Sequence, residues 1–386
     1  MSMQKKSIPV CEPALLGREV EYVTDAVSSG WISSSGKYVA AFEESFASYC
    51  CVKYAVSVCN GTAALHLAMI SLGIEKGDEV VVPDFTMIAS AFAVCYSGAM
   101  PVFVDAEPVT WNIDVARLDD KIRTEVKKGN RRLKAIMPVH IYGHPCDMDG
   151  IMEIAGRYGL SVVEDAAEVH GAEYKGKKVG SFGDINAFSF YANKNLTTGE
   201  GGMVVTDNKE LYDRARYFKN LCFPIDSPRT YIHKDLGFNY RLSNVHAAIG
   251  LAQLEKADDY RAARIRNARL YQMLLADVPG LSFQPQRQGT LNVYWMNGIV
   301  IDPSAFGATR DALAQSLKEE GIDTRNFFQG MHRQPSLGKY GCDCSGGYPV
   351  SDFLADNGLY LPSSSLLKED DIRFICDVIS YHSGKG

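Results

Sequence analysis

Between residues 50 and 206 short runs of β-branched and other apolar residues alternate with longer stretches of helical periodicity. The runs are Tyr54–Val58, Glu79–Val82, Pro101–Val104, Leu133–Pro138, Ser161–Glu164, Ile185–Phe190 and Gly202–Thr206. Between several of them the apolar spacing predicts helices over Thr62–Leu72, Thr86–Tyr96, Val115–Lys128 and Met148–Tyr158. Strands separated by helices of this length predict parallel βαβ units in a covered sheet. The runs are nearly continuous rather than alternating, as expected of strands buried on both faces. Ligands of such sheets lie beyond the carboxyl ends of the strands, so the residues that follow each run carry most of the interest.

Beyond residue 240 the pattern changes. Leu242–Ala276 reads as one long helix, rich in Ala, Leu, Arg and Glu, with Pro279-Gly280 as its stop. A strand over Val293–Ile301, a helix over Thr309–Glu320 and a last helix near Glu369–Tyr381 follow. We therefore expect a large α/β domain over residues 1–250 and a smaller α+β domain over 251–386, with loops at 335–350 and 362–365.

The chain has 386 residues, which divide at roughly 150 per domain into two or three domains. With 46% apolar and 22% charged residues it has the composition of a soluble globular protein, which excludes disordered, collagenous and coiled-coil classes. A net charge of −6 argues against a nucleic-acid or anionic-membrane surface. Ten cysteines include no CxxC pair, so neither a metal site nor a disulfide framework is expected. Phe85–Val104 is uncharged, but Gly98 and Pro101 break it into a buried helix and a strand, so no membrane span is expected. The leader MSMQKKSIPV lacks an apolar stretch of signal-peptide type, so a cytoplasmic protein with free thiols is expected.

Three segments combine into candidate chemistry. Asn60-Gly61-Thr62-Ala63 closes a strand and opens a helix, where backbone N–H groups and the helix dipole favour an anion and Gly61 permits close approach. Taken alone, it also reads as an ordinary helix cap. Glu164-Asp165-Ala166-Ala167-Glu168 closes the strand Ser161–Glu164 with carboxylates, where a helix cap is the competing explanation. Ser189 to Gly202 ends a strand, supplies Lys194 among uncharged neighbours, and returns through a glycine-rich turn. A lysine so placed can be an unprotonated amine able to condense with a carbonyl. A phosphate cradle, an aspartate and a lysine at neighbouring strand ends are the set that pyridoxal 5′-phosphate requires: donors for the phosphate, a carboxylate for the pyridine nitrogen and an amine for the aldehyde.

With these residues in view, the chain resembles the DegT/DnrJ/EryC1/StrS family of sugar aminotransferases, on the aspartate-aminotransferase (type I) fold. The resemblance runs from Gly17 to the final helix. It rests on Gly30-Trp31-Ile32-Ser33-Ser34, Asn60 to His66, Glu164 to Ala167, Asn193-Lys194, Thr198 to Gly202 and Gly237 to Asn244. Within the family it is most similar to the GDP-perosamine branch, through Val139 to Met148, Asn193-Lys194 and Thr110-Trp111. The resemblance implies that Lys194 carries the cofactor and then moves the proton, and that Asp165 pairs with the pyridine nitrogen. It further implies that Gly61, Thr62, Ala63 and Ser189 hold the phosphate. Asn239 would reach the same phosphate from the partner subunit of a homodimer with shared sites. Glu168 stands where most of the family has glutamine facing the ring hydroxyl. Met87 takes a position that is commonly aromatic and stacks on the ring; a thioether can cover a π face. Tyr191 stands where many relatives have histidine. Relatives that dehydrate sugars carry histidine in place of Lys194, so transamination is expected.

The implied reaction moves an amino group from L-glutamate, by way of pyridoxamine 5′-phosphate, to the 4-keto group of a nucleotide-linked 4-keto-6-deoxy sugar. Trp31, Ser33, Ser34, Arg325 and His332 are the candidate substrate contacts. The cofactor motifs are shared with 3-keto-sugar and cyclitol aminotransferases and do not separate them. A cofactor-binding regulator is disfavoured, because Met1–Val10 supplies neither a helix-turn-helix nor a basic arm. Which nucleotide is attached does not follow from the sequence.

Overall fold

A computed structural model describes residues 7–225, 228 and 230–384; residues 1–6 of the leader lie outside them. Seven strands form one twisted sheet: β1 (Tyr54–Val58), β2 (Glu79–Pro83), β3 (Met100–Val104), β4 (Leu133–Ile136), β5 (Ser161–Val162), β6 (Asn186–Ser189) and β7 (Gly202–Thr206). Their order is β3-β2-β4-β5-β6-β7-β1, with the central junction closed by single parallel bridges of Asp165 to Val139 and to Ala187. All run parallel except β7, which is antiparallel to β1 and β6. Alternate side chains enter two separate cores. Val81, Val104, Ile136, Phe188 and Val205 pack with Phe42, Phe46, Leu118 and Ile151 on one face. Val80, Val82, Ala135, Ala187 and Val204 pack with Leu67, Met69, Val94 and Ala215 on the other. Covered on both sides, these strands can be apolar at every position.

The predicted single helix over Leu242–Ala276 is two, Asn244–Leu254 and Ala257–Leu274. The break has a tertiary cause: Gln253, buried at the first helix's end, donates to Ala14 O at 2.7 Å and Glu19 Oε1 at 2.6 Å. The first helix thereby packs on helices Glu19–Ser28 and Lys37–Tyr49. The second packs against the last helix, Glu369–His382. The C-terminal region holds a four-stranded antiparallel sheet of β8 (Leu281–Phe283), β9 (Asn297–Ile301), β10 (Arg325–Asn326) and β11 (Gly358–Leu361), in the order β8-β9-β11-β10. Ile299, Ile301, Leu359 and Leu361 form its core with Leu313, Leu317, Ile372 and Ile375. Ile8, grouped above with the N-terminal domain, is in this core and pairs with Ile322. The segment 335–350, expected as loop, contains helix Pro335–Tyr340 and the start of Pro349–Asn357, each with proline in its first turn. The strand expected from Val293 begins at Asn297, because the chain bends at Trp295 and Met296 after a positive φ at Tyr294. Among the described residues no helix is long and apolar enough to cross a membrane.

Candidate active site

The carboxyl ends of β1, β5 and β6 open on one cleft of about 590 Å³, lined among others by Gly61, Thr62, Asp165, Glu168, Ser189 and Lys194. Met87 and Ala63 line it as well, and Met87 is half exposed.

The phosphate cradle is built by close packing. Asn60 caps helix Gly61–Leu72 by accepting the Ala63 N–H at 2.8 Å, so the first-turn N–H groups of Gly61 and Thr62 have no acceptor within the helix. A Cβ on Gly61 would stand 2.6 Å from Ser189 Cβ, and one on Gly202 would stand 2.4 Å from the Asn60 carbonyl oxygen. Only glycine fits at either place. The Ser189 hydroxyl is thereby held beside the helix start, and the two together suit a dianionic phosphate.

Asp165 is 4% exposed. Its Oδ2 accepts the Ser90 hydroxyl at 2.7 Å and its Oδ1 the Ala167 N–H at 3.1 Å. Burial raises its pKa, against the pull of these hydrogen bonds and of Lys194. A carboxylate with donors behind it and the cleft in front suits a cationic ring nitrogen.

Lys194 Nζ lies 3.8 Å from Glu168 Oε1 and 3.6 Å from the centre of the Trp295 ring. Burial lowers the lysine's pKa and pushes that of Glu168 up to about 7. The two shifts have one cause, exclusion of water, and each is opposed by the attraction of the pair. The result is an amine freed of its proton more easily than a surface lysine, as an attack on a carbonyl requires. Glu168 is oriented by the Tyr142 N–H, which donates to Oε2 at 2.7 Å. Tyr142 adopts φ +55°, so the N–H comes from a turn built for the purpose.

Other predicted residues lie elsewhere. Trp31 is exposed, and Ser33 and Ser34 line a separate polar pocket of about 470 Å³ together with Arg216, Lys219 and Arg241. Asn239 is exposed, its Oδ1 accepting from Arg241 at 3.0 and 2.6 Å, and does not line its own chain's cleft. Arg325 is exposed and paired with Asp323. His332 is clamped between carboxylates, 2.8 Å from Asp84 Oδ2 and 3.1 Å from Asp352 Oδ1, and stacks on Tyr348. Sequence reasoning missed Ser90 and Trp295. Ser90 lies four residues beyond Thr86, a spacing that was available, although the helix predicted from Thr86 begins only at Ala89; nothing local marks Trp295.

The group the cleft fits is pyridoxal 5′-phosphate: a glycine-only phosphate cradle, a buried carboxylate and a buried amine converge on it. The fold and the site together define a pyridoxal-phosphate-dependent aminotransferase. The chain belongs to the DegT/DnrJ/EryC1/StrS aminotransferase family, whose model matches residues 14–380. It is 43% identical to the GDP-perosamine synthase of Escherichia coli O157:H7, over 98% of this chain and 100% of that protein. It is likewise 43% identical to the GDP-perosamine synthase of Caulobacter vibrioides, over 95% of each. Among solved structures, a DegT DnrJ EryC1 StrS aminotransferase from Brucella abortus superposes with a TM-score of 0.88 at 33% identity, over 95% of this chain and 96% of that one.

Proposed function

We propose that this enzyme transfers the amino group of L-glutamate to C4 of a GDP-linked 4-keto-6-deoxy sugar, leaving 2-oxoglutarate and the amino sugar. The observation that carries the chemistry is the convergence of Lys194, Asp165 and the Gly61–Ser189 cradle on one cleft. The substrate reading rests on the two GDP-perosamine synthases at 43% identity over nearly the whole chain.

Bound in the cleft, the cofactor supplies an electron sink and a carrier for nitrogen. Gly61, Thr62 and Ser189 hold its phosphate. Asp165 stays ionised and keeps the ring nitrogen protonated. Lys194 holds the cofactor at rest, and its amine, once free, takes the proton from the donor carbon and returns it on the other side of the exchange. Glu168, beside the lysine, would accept from the ring hydroxyl, and Met87, on the cleft wall, would cover the ring.

The active unit in this reading is a homodimer in the cytoplasm. Asn239 faces away from its own cleft and follows a stretch whose Tyr231, Ile232 and Leu236 are each at least 80% exposed, as expected of a segment that packs on a second copy and delivers Asn239 there. Ser33 and Ser34 share a pocket with Arg241, which donates to Asn239, and we assign them, with the exposed Trp31, to the partner's substrate. Asn239→Ala should then weaken cofactor retention without unfolding the chain; unchanged retention counts against this arrangement.

A panel of GDP-, UDP- and dTDP-linked keto sugars with glutamate tests the substrate, scored by mass for exchange of ketone for amine. Consumption of a 3-keto sugar or a cyclitol in place of the 4-keto sugars overturns the assignment. Borohydride reduction of the cofactor-loaded protein, followed by peptide mapping, tests the lysine: label on any residue but Lys194 removes its role.

A further inference from the structure

We propose that Trp295 is a positioning residue for the Lys194 amine: its ring face receives the ammonium form of Lys194 whenever that amine is not joined to the cofactor. The inference rests on Lys194 being the cofactor-bearing lysine. Nζ stands 3.6 Å from the ring centre, well inside the range of a cation–π contact, and tryptophan is the strongest partner for one.

The ring is held from several sides. Its Nε1–H donates to the Asn193 carbonyl at 2.9 Å, next to Lys194 itself. The Trp295 carbonyl accepts from Arg264 Nη1 at 2.8 Å, and Arg264 is 2% exposed. The turn that carries Trp295 docks on residues 141–143: Val293 N–H donates to Gly143 O at 3.1 Å and Met296 N–H to Tyr142 O at 3.4 Å. A Cβ on Gly143 would lie 2.6 Å from the Trp295 nitrogen, so the approach is as close as backbone allows. The segment 141–143 that seats this turn also gives the Tyr142 N–H to Glu168. The two docked segments thus fix both partners of the amine, the carboxylate and the ring.

The two partners differ in what they can do. Glu168 attracts the ammonium but can also take its proton. The ring attracts the cation and accepts no proton. A buried lysine that has to hold a proton beside a carboxylate, between taking it from one carbon and giving it to another, is served by the second kind of partner. The other groups facing Lys194 are Asp165, Cys11 and His170. His170 has no hydrogen-bond partner on either ring nitrogen among the described residues, and burial lowers its pKa to about 3, so it adds no charge.

The test reads Lys194 in the full-length chain freed of cofactor. Competitive labelling of amines with acetic anhydride across pH, with the Lys194 peptide quantified by mass, gives the apparent pKa of this one amine. Trp295→Leu should lower it by about half a unit to one and a half units. Trp295→Phe, which keeps a ring but loses the Asn193 bond, should recover a good part of the shift. Protein grown on fluorinated tryptophans keeps the shape of the site while weakening the negative ring face, so the pKa should fall stepwise with fluorine content. An unchanged pKa in Trp295→Leu, a Phe variant as low as the Leu variant, or no response to fluorination overturns the proposal. In the cofactor-free protein the labelling reads this amine whether or not Lys194 is the residue that bears the cofactor, so a failure of the underlying assignment shows separately, in the borohydride map.

Discussion

Replacing Ser90 with alanine removes one of the two hydrogen bonds that hold Asp165 ionised. A carboxylate only accepts, so the Ser90 proton points at Asp165, and in the 3.2 Å contact between Thr86 and Ser90 it is Thr86 that donates. A hydrogen bond to a charged group contributes about 1.5–3 kcal/mol. In the empty cleft, where burial already raises the Asp165 pKa, the variant can recover part of this loss by taking up a proton. Opposite a cationic ring nitrogen it has to stay ionised and bears the whole loss. The difference emerges as weaker binding, by about tenfold to a hundredfold. The deficit should be largest at acid pH and shrink as pH rises through the variant's Asp165 pKa, because above it both empty proteins hold an ionised carboxylate. Fluorescence titration with pyridoxamine 5′-phosphate, which makes no covalent link to Lys194, measures this directly across pH. Thr86→Ala, one step further out, should give a smaller deficit of the same sign. A Ser90→Ala protein that binds like its parent at acid pH, or whose deficit does not vary with pH, refutes the reasoning.

Gly61→Ala puts a methyl 2.6 Å from Ser189 Cβ and 3.2 Å from its Cα, where overpacking costs about 1–3 kcal/mol; it should lose at least about tenfold in pyridoxamine 5′-phosphate affinity, whereas Gly156→Ala, with nothing within 4 Å, leaves affinity unchanged. Glu168, pushed up to about 7 from 4.5, holds its proton more tightly folded than unfolded, so the cofactor-free protein should lose stability as pH rises through that window, by about 3 kcal/mol at most. Glu168→Gln keeps an acceptor for Tyr142 and has no such proton; urea midpoints that fall with pH as steeply as the parent's would contradict the burial argument. His332→Ala leaves the buried Asp84 carboxylate short of a partner and should cost about 2–3 kcal/mol in denaturant unfolding with the sugar KM unchanged; a raised KM at full stability would return His332 to the substrate.

What could be read in advance was what is local in the chain. Each strand of the large sheet is a compact apolar run, and Gly61, Asp165, Ser189 and Lys194 lie within a few residues of a strand end, so topology alone delivers them to one edge. The Leu242–Ala276 break was invisible for the opposite reason. Residues 255 and 256 are Glu and Lys, good helix formers with no glycine or proline from 251 to 278, and the interruption comes from Gln253 reaching Ala14 and Glu19 across the fold. The loop reading of 335–350 failed on composition: Pro335 and Pro349 start helices rather than end them.

The amine at the centre of the site shows where the division falls. Its chemistry is announced by Ser189 to Gly202, but the environment that sets its proton affinity is assembled from four distant stretches. These are Glu168 after β5, the Tyr142–Gly143 turn, Trp295 ahead of β9, and Arg264 in the second of the two helices. Glu168 was legible as part of Glu164–Glu168; the other three have no spacing relation to Lys194 that a pattern could detect. The conformations that bring them together are individually unfavourable, with positive φ at Tyr142 and at Tyr294. Strain of this kind persists only where surrounding contacts enforce it. Here it aims one N–H at Glu168 and one ring at Lys194, so the backbone of turns far from the lysine in sequence places the groups that face its amine.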